Sequence, residues 1–404
     1  MHRKILVLLT GLVLALTLFV PVKAEAASPV YTISPSSPTY KKNMMNFTTY
    51  NKYTKHYYLL RTYLEQLEKS GGGTLVLKKG TYSITNTLYV PSNVTIKLLD
   101  GATIVKATAT GTPKFKAASS IFQLIRPSRA YKTSVYGGYK GEKNISFIGE
   151  GKAVIDLKYM TDSIAIIAGH NRNIKVEGIR FQNMKSGHFI EMDATSGAVI
   201  RNNQFTGSKP SIKSNKEAIN LDTPDKQTQG WSQQWSKFDK TANANILIEN
   251  NLFYNLDRSV GTHKFSGGQF HDRVTMRGNT IQKMRQDAIR VMNWSNAVIE
   301  DNLIKDVDPG PDDGKRGILA SGAINPTFRN NIIENVPRPI QFMPWKNSGP
   351  GSIYPVTFNS LNAANLAALE TNTAIHYKED FIRINKKYNQ FEKNTTDFVY
   401  VQTR

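Results

Sequence analysis

Acidic side chains gather in one stretch of this chain, and basic ones follow them. His188-Phe-Ile-Glu191-Met-Asp193 leads to Glu217-Ala-Ile-Asn220-Leu-Asp222, then to Gly261-Thr-His263-Lys264, Asp287-Ala-Ile-Arg290 and Arg316-Gly-Ile-Leu. Apolar and polar residues alternate in each, as in a strand with one face inward. Aligned on their apolar positions, these segments put Glu191, Asp193, Glu217 and Asp222 on one outward face, with His263, Lys264 and Arg290 next to them. Two chemistries use such a set. Four carboxylates can hold Ca²⁺, the one cofactor candidate here; the ion would bind a uronate and acidify its C5 proton, and Lys264 or Arg290 would remove it. Alternatively, two carboxyl groups act as acid and as base or nucleophile across a glycosidic bond. The candidate catalytic residues are therefore Glu191, Asp193, Glu217, Asp222, His263, Lys264 and Arg290, and the four acids double as candidate metal ligands.

Other residues suit binding. His188 and Asp287 lie in the same segments, and His271 lies in a Gly-containing stretch where turns can bring an imidazole toward a cleft. Thr223 to Ala242 is too long for a plain turn and carries Trp231 and Trp235 among glutamines and lysines. Exposed indoles there would stack on sugar rings while the amides bond hydroxyls. A second insertion, Lys106 to Lys143, with Tyr131, Tyr136 and Tyr139, is expected to form the opposite wall.

These segments need a scaffold that stacks them, and a repeated phrase supplies it. Ile200-Arg-Asn-Asn203-Gln-Phe205 recurs as Ile248-Glu-Asn-Asn251-Leu-Phe253, Met276-Arg-Gly-Asn279-Thr-Ile281, Ile299-Glu-Asp-Asn302-Leu-Ile304 and Phe328-Arg-Asn-Asn331-Ile-Ile333, and Val176-Glu-Gly-Ile179-Arg-Phe181 is a copy without Asn. The unit is one coil of roughly two dozen residues, and the long step from Asn203 to Asn251 holds the insertion. Asn at the bend tolerates the left-handed backbone region, and equivalent Asn residues of successive coils can form an inward amide ladder. That column is structural.

An amphipathic helical stretch, Tyr57 to Lys69, precedes Gly71-Gly-Gly-Thr-Leu-Val-Leu, Gly80-Thr-Tyr and Asn93-Val-Thr-Ile-Lys-Leu-Leu-Asp-Gly101. It is expected to plug the open end of the solenoid. A second cap is expected over residues 356–404, with a helix from Asn362 to Glu370. The helix-then-GGGTLVLKKGTYSITNTLYVPSNVTIKLLDGATI opening together with the I-x-N-N-x-F coils resembles the pectin-lyase-like superfamily over most of residues 55–345. That resemblance implies an all-β right-handed parallel β-helix spanning residues 27–355 and a glycan as partner. Pectate lyases are similar in the order that would fall on Asp193, Asp222, Lys264 and Arg290, and polygalacturonases in the order that would fall on Asp193, Asp222, His263 and Arg290. The W-x-D-H and R-x-P-x-x-R signatures of the former and the G-H-G and R-I-K motifs of the latter are absent as written, so the resemblance carries the location of the site rather than its reaction.

Composition bounds the setting. Arg3 and Lys4, an apolar run from Ile5 to Val22 and Ala24-Glu25-Ala26 form a secretory leader pattern over residues 1–26. There are no cysteines, so no disulfide supports the fold. The formal charge is +21, or +19 without Arg3, Lys4, Lys23 and Glu25, a surface that attracts polyanions. No H-E-x-x-H, P-loop or nucleic-acid recognition motif occurs, and no second apolar segment is long enough to span a bilayer. The sequence thus reads as a secreted or wall-associated monomer that degrades a polysaccharide. β-Elimination of an acidic glycan is the first expectation, glycoside hydrolysis the second and noncatalytic glycan binding the third.

Overall fold

A computed structural model describes residues 28–210, 216–307, 315–346, 355–386 and 398–400. The leader pattern lies outside them. Among the described residues no helix is long and apolar enough to cross a membrane.

The chain is a right-handed parallel β-helix. Each full coil contributes one strand to each of three parallel sheets, which hold eleven, eleven and ten strands among the described residues. The repeated phrase spans the corner between the first strand of a coil and the second: Ser196–Arg201 turns into Gln204–Ser208, and Ala244–Glu249 into Leu252–Leu256. Its alternating apolar residues explain the core, because Ile200, Ile248, Met276, Ile299 and Phe328 stack in register inside, as do Phe205 and Phe253, whose rings lie 4.9 Å apart.

At the corner the two positions divide the work. The first takes the left-handed backbone region, with φ between +54° and +61° at Asn202, Asn250, Gly278, Asp301 and Asn330, which is why Asn, Gly or Asp stands there. The second is buried and makes the ladder. Asn203, Asn251, Asn279, Asn302 and Asn331 each pass the amide on, Nδ2 of one donating to Oδ1 of the next at 2.8–3.1 Å until Asn372 accepts the last bond, while Nδ2 also reaches a backbone carbonyl. The sequence expectation of an inward ladder holds, but its left-handed residue is the neighbour before it.

The ends differ in detail from the expectation. Helix α1 (Lys55–Lys69) buries Tyr57, Tyr58, Leu59, Leu60, Leu64 and Leu67 against the first coils, and the strand Val30–Ile33 before it already pairs with Gly73–Leu77. At the other end the coils run on past residue 355. Helix α2 (Ala363–Leu369) starts in a capping box made by Asn362 and Asn365, yet Thr373–Ile375 and Ile382–Asn385 still add parallel strands to the second and third sheets. Phe398–Tyr400 then lies antiparallel on Ile382–Asn385 and covers that edge.

Candidate active site

The third sheet carries the candidate residues. Its strands Ile164–Gly169, His188–Asp193, Glu217–Asp222, Arg258–Gly261, Ile289–Met292 and Arg316–Ser321 are consecutive neighbours. Register sorts their outward side chains into three columns. His188 stands beside Glu217, which pairs with Arg258, and Asp287 and Arg316 continue that line. Glu191, Asn220, Gly261 and Arg290 form the second, and Asp193 lies opposite Asp222 in the third, with His263 following on the next coil.

The acids are far less exposed than outward strand positions usually are. Asp193, Glu217 and Asp222 are fully buried and Glu191 is nearly so. The insertion after Asp222 covers them. It leaves a cleft of about 270 Å³ floored by Ile164, Ile167, His188, Glu191, Asn220, Asp222 and His263 and flanked by residues 229–233 on one side and by Asp162, Ser186 and Lys216 on the other.

Polar partners hold the acids in place. Both oxygens of Glu191 accept from Asn220 Nδ2, at 3.0 and 3.2 Å. Asp222 Oδ1 accepts the backbone N–H groups of His263 and Lys264, at 3.1 and 3.0 Å. Asp193 receives no N–H donor at either oxygen. The carboxyl group of Glu191 lies against it, so a proton held between the two is what can satisfy this pair. Burial drives Glu191 and Asp193 well above the usual carboxylate range, and the neighbouring charges of Asp222 and Glu191 add to it. Burial also raises Asp222, against the pull of His263. Glu217 goes the other way. Burial opposes its charge, but His263 and Arg258 outweigh that and hold it well below the ordinary value, with Arg258 Nη1 2.7 Å from Oε1. Neighbouring carboxyl groups pushed apart in this way are the pattern of an acid and its ionised partner.

The histidines are also fixed. His188 Nδ1 lies 2.7 Å from the carbonyl of Glu217, so it carries the proton and leaves Nε2 as an acceptor 3.4 Å from Glu191 Oε2. Burial, helped by Lys216, pushes its pKa down to about 3. His263 Nδ1 faces three oxygens: Asn220 Oδ1 at 3.2 Å, Glu217 Oε2 at 3.4 Å and Asp222 Oδ2 at 3.6 Å.

Several sequence expectations place differently. The four acids do not gather around one point as a calcium set. Among the described residues, the constellation of three or more His, Asp or Glu whose ligand atoms lie within 4.8 Å is His188, Glu217 and His263. Glu191 already faces an amide donor and Asp193 lies behind it, so a hard cation would find N–H groups where it needs oxygens. Lys264 and Arg290 do not line the cleft. Burial lowers the ammonium of Lys264, and Arg290, lowered to about 10 by burial and by Arg258, lies 5.2 Å from the Trp345 ring. Asp287 is buried between Arg258 and Arg316, at 3.5 and 3.1 Å. His271 is buried away from the cleft, where its Nδ1 accepts the backbone N–H of Asn243 at 3.0 Å.

Nor do the tryptophans stand free. Trp231 and Trp235 pack edge to face, 5.4 Å between ring centres, over Gly169, where a Cβ would lie only 2.6 Å from the Trp231 ring. Trp235 Nε1 donates to Gln123. Trp231 still contributes an edge to the cleft, while Trp235 is interior. The two insertions do not face each other across it. The first contains the third-sheet strand Ser120–Gln123, and its part after that strand stacks on the second insertion, which follows Glu217–Asp222: Val135 and Tyr136 donate to the Trp235 carbonyl, Tyr139 to that of Ala242, and His170 bridges Gly138 and Ser236. The first insertion therefore buttresses the second.

Arg258 and Asn220 were not legible as site residues. The segment beginning at Gly261 starts three residues too late, because the strand begins at Arg258. Counting from the ladder would have found it: Arg258 follows Asn251 by seven residues, as Arg338 follows Asn331.

Comparison with known proteins agrees with this architecture. Residues 238–349 match a family model described as a right handed beta helix region. Plasmin and fibronectin-binding protein A of Streptococcus pneumoniae is 20% identical over 249 residues, which cover 57% of this chain and 34% of that protein. The chain thus spans about a third of the length of that curated relative. Two solved structures of PfbA from Streptococcus pneumoniae are similar in fold. One, described as a surface protein and adhesin, has a TM-score of 0.61 at 14% identity and covers 87% of this chain and 88% of that one. The other, described as a surface adhesin, has a TM-score of 0.58 at 15% identity, over 81% and 78%. The likeness shows the fold, a right-handed parallel β-helix.

Proposed function

We propose that this chain is an exported enzyme that cleaves a polysaccharide by hydrolysis, with Glu191 and Asp222 as the reacting carboxyl groups. One observation carries the reading: three buried carboxyl groups with raised pKa values, Glu191, Asp193 and Asp222, on adjacent coils, two of them lining a cleft that also presents amides, hydroxyls and two imidazoles. Glu191, which burial holds well above the usual carboxylate range, can give its proton to a leaving glycosidic oxygen, and Asp222, on which His263 and the Lys264 N–H pull against burial, can in its ionised form activate water or attack the sugar carbon. Asn220 and the backbone N–H groups of His263 and Lys264 fix the carboxyl planes, and Gln229, Ser232 and Gln233 suit sugar hydroxyls.

Hydrolysis is favoured over β-elimination because the lining balances Asp162, Glu191 and Asp222 against Lys216 rather than presenting a cationic floor for a uronate. Lys264 and Arg290, the bases that elimination would use, stand outside it. A second reading, noncatalytic binding at a cell surface, draws on the fold likeness to a streptococcal protein described as a surface adhesin. Incubating the protein with neutral, amino-sugar and uronic polysaccharides separates the three. Reducing ends without absorbance near 235 nm mean hydrolysis, both signals together mean elimination, and retention of a glycan with neither signal means binding alone.

A further inference from the structure

We propose that His188, Glu217 and His263 form a binding site for a divalent transition-metal ion of the Zn²⁺ or Co²⁺ type. The three come from three successive coils, and their ligand atoms lie within 4.8 Å of one another. The 3.4 Å between His263 Nδ1 and Glu217 Oε2 is the separation of two atoms that each sit about 2.0–2.2 Å from a common ion in tetrahedral geometry.

Two independent features point inward at the same place. Glu217 is fully buried, yet its Oε2 has no hydrogen-bond donor, although an unpaired carboxylate oxygen is costly inside a protein. His188 is oriented as a ligand would be: Nδ1 is committed to the Glu217 carbonyl, which leaves the lone pair on Nε2, with Glu191 Oε2 3.4 Å away. That second hydrogen bond to a backbone carbonyl is the usual support of a metal-bound imidazole. Arg258 does the same for the carboxylate by holding Oε1 at 2.7 Å and leaving Oε2. Two imidazoles and one carboxylate suit a borderline ion rather than Ca²⁺ or Mg²⁺. His188 and His263 both border the cleft, so the remaining coordination positions open toward it.

The site is independent of the glycan reading, and its test needs no substrate. Metal-stripped protein is titrated with Zn²⁺ by calorimetry and with Co²⁺ by visible absorption. One ion per chain is expected, with a Co²⁺ band of low-coordinate intensity. His263→Ala, at a partly exposed position, and Glu217→Gln, whose amide oxygen can still accept from Arg258, are expected to weaken binding about a hundredfold or more. His376→Ala, at a histidine distant in sequence from the site, is expected to leave it unchanged. Absence of stoichiometric binding by the folded wild type would overturn the proposal. So would equal affinity in His263→Ala and Glu217→Gln, since the ion would then be held elsewhere.

Discussion

At the scale of single residues, burial sets the chemistry of this face. A lowered imidazole at His188 and raised carboxyl groups follow from outward strand positions covered by an insertion, and the consequence for pH can be worked out at His271, which lies apart from the cleft. Burial lowers its pKa to about 3, whereas an unfolded histidine titrates near 6.5. A depressed folded value means that the unfolded chain takes up the proton first. Stability from this group is therefore complete above about pH 6.5 and lost as the pH falls toward 3. Between pH 6 and 4 the wild type is expected to lose about 1.4 kcal/mol per pH unit more than His271→Asn, measured by urea unfolding at each pH. Parallel slopes would place the His271 proton wrongly. The raised carboxyl groups act in the opposite sense: what they contribute is complete below the ordinary carboxylate range and fades as the pH rises through their elevated values.

At the scale of elements, the corner phrase does two jobs, and both can be tested. Asn279 gives and accepts amide bonds inside the ladder, so Asn279→Ala strands buried partners on both sides and is expected to cost about 3 kcal/mol in chemical denaturation. The residue immediately before the left-handed corner position alternates in charge. Glu177, Arg201, Glu249, Arg277, Glu300 and Arg329 stand in register, with ion pairs of 3.1 Å between Arg201 and Glu177, 2.7 Å between Arg277 and Glu249 and 2.6 Å between Arg329 and Glu300. A coil paired with the wrong neighbour would set like charges together. Glu249→Arg is expected to lower stability by about 1 kcal/mol, more at low salt than at high, whereas an effect insensitive to salt would mean lost packing instead. This alternation, like the ladder, can be read from the sequence, because repeating local physics writes itself at a fixed spacing. What could not be read depends on distant packing. Trp231 and Trp235 look like exposed platforms until Gly169, on another coil, provides the hollow they fill. The partnership of the two insertions is likewise invisible, since nothing in either stretch names the other.

At the scale of the whole molecule, a solenoid with a net charge of +21 puts its most concentrated acidity under a lid of its own making. That Glu191, Asp193, Glu217 and Asp222 share one sheet face on adjacent coils was legible, because period-2 alternation and coil spacing put them there whatever their role. The character of the cleft was not, because basic surface charge says little about a cleft that Lys264 and Arg290 do not line and from which Asp287 is held by its ion pairs with Arg258 and Arg316. The measurement that bears most directly on the account compares the wild type with Glu191→Gln and Asp222→Asn on whichever polysaccharide the wild type retains, following reducing ends alongside binding. Asp222→Asn keeps an oxygen for the His263 and Lys264 amides and Glu191→Gln keeps one of the two that accept from Asn220, so the fold and the binding are expected to survive while turnover falls by about 10²–10⁴-fold. Unchanged turnover in both variants, with binding intact, would contradict the assignment of these carboxyl groups to the chemistry.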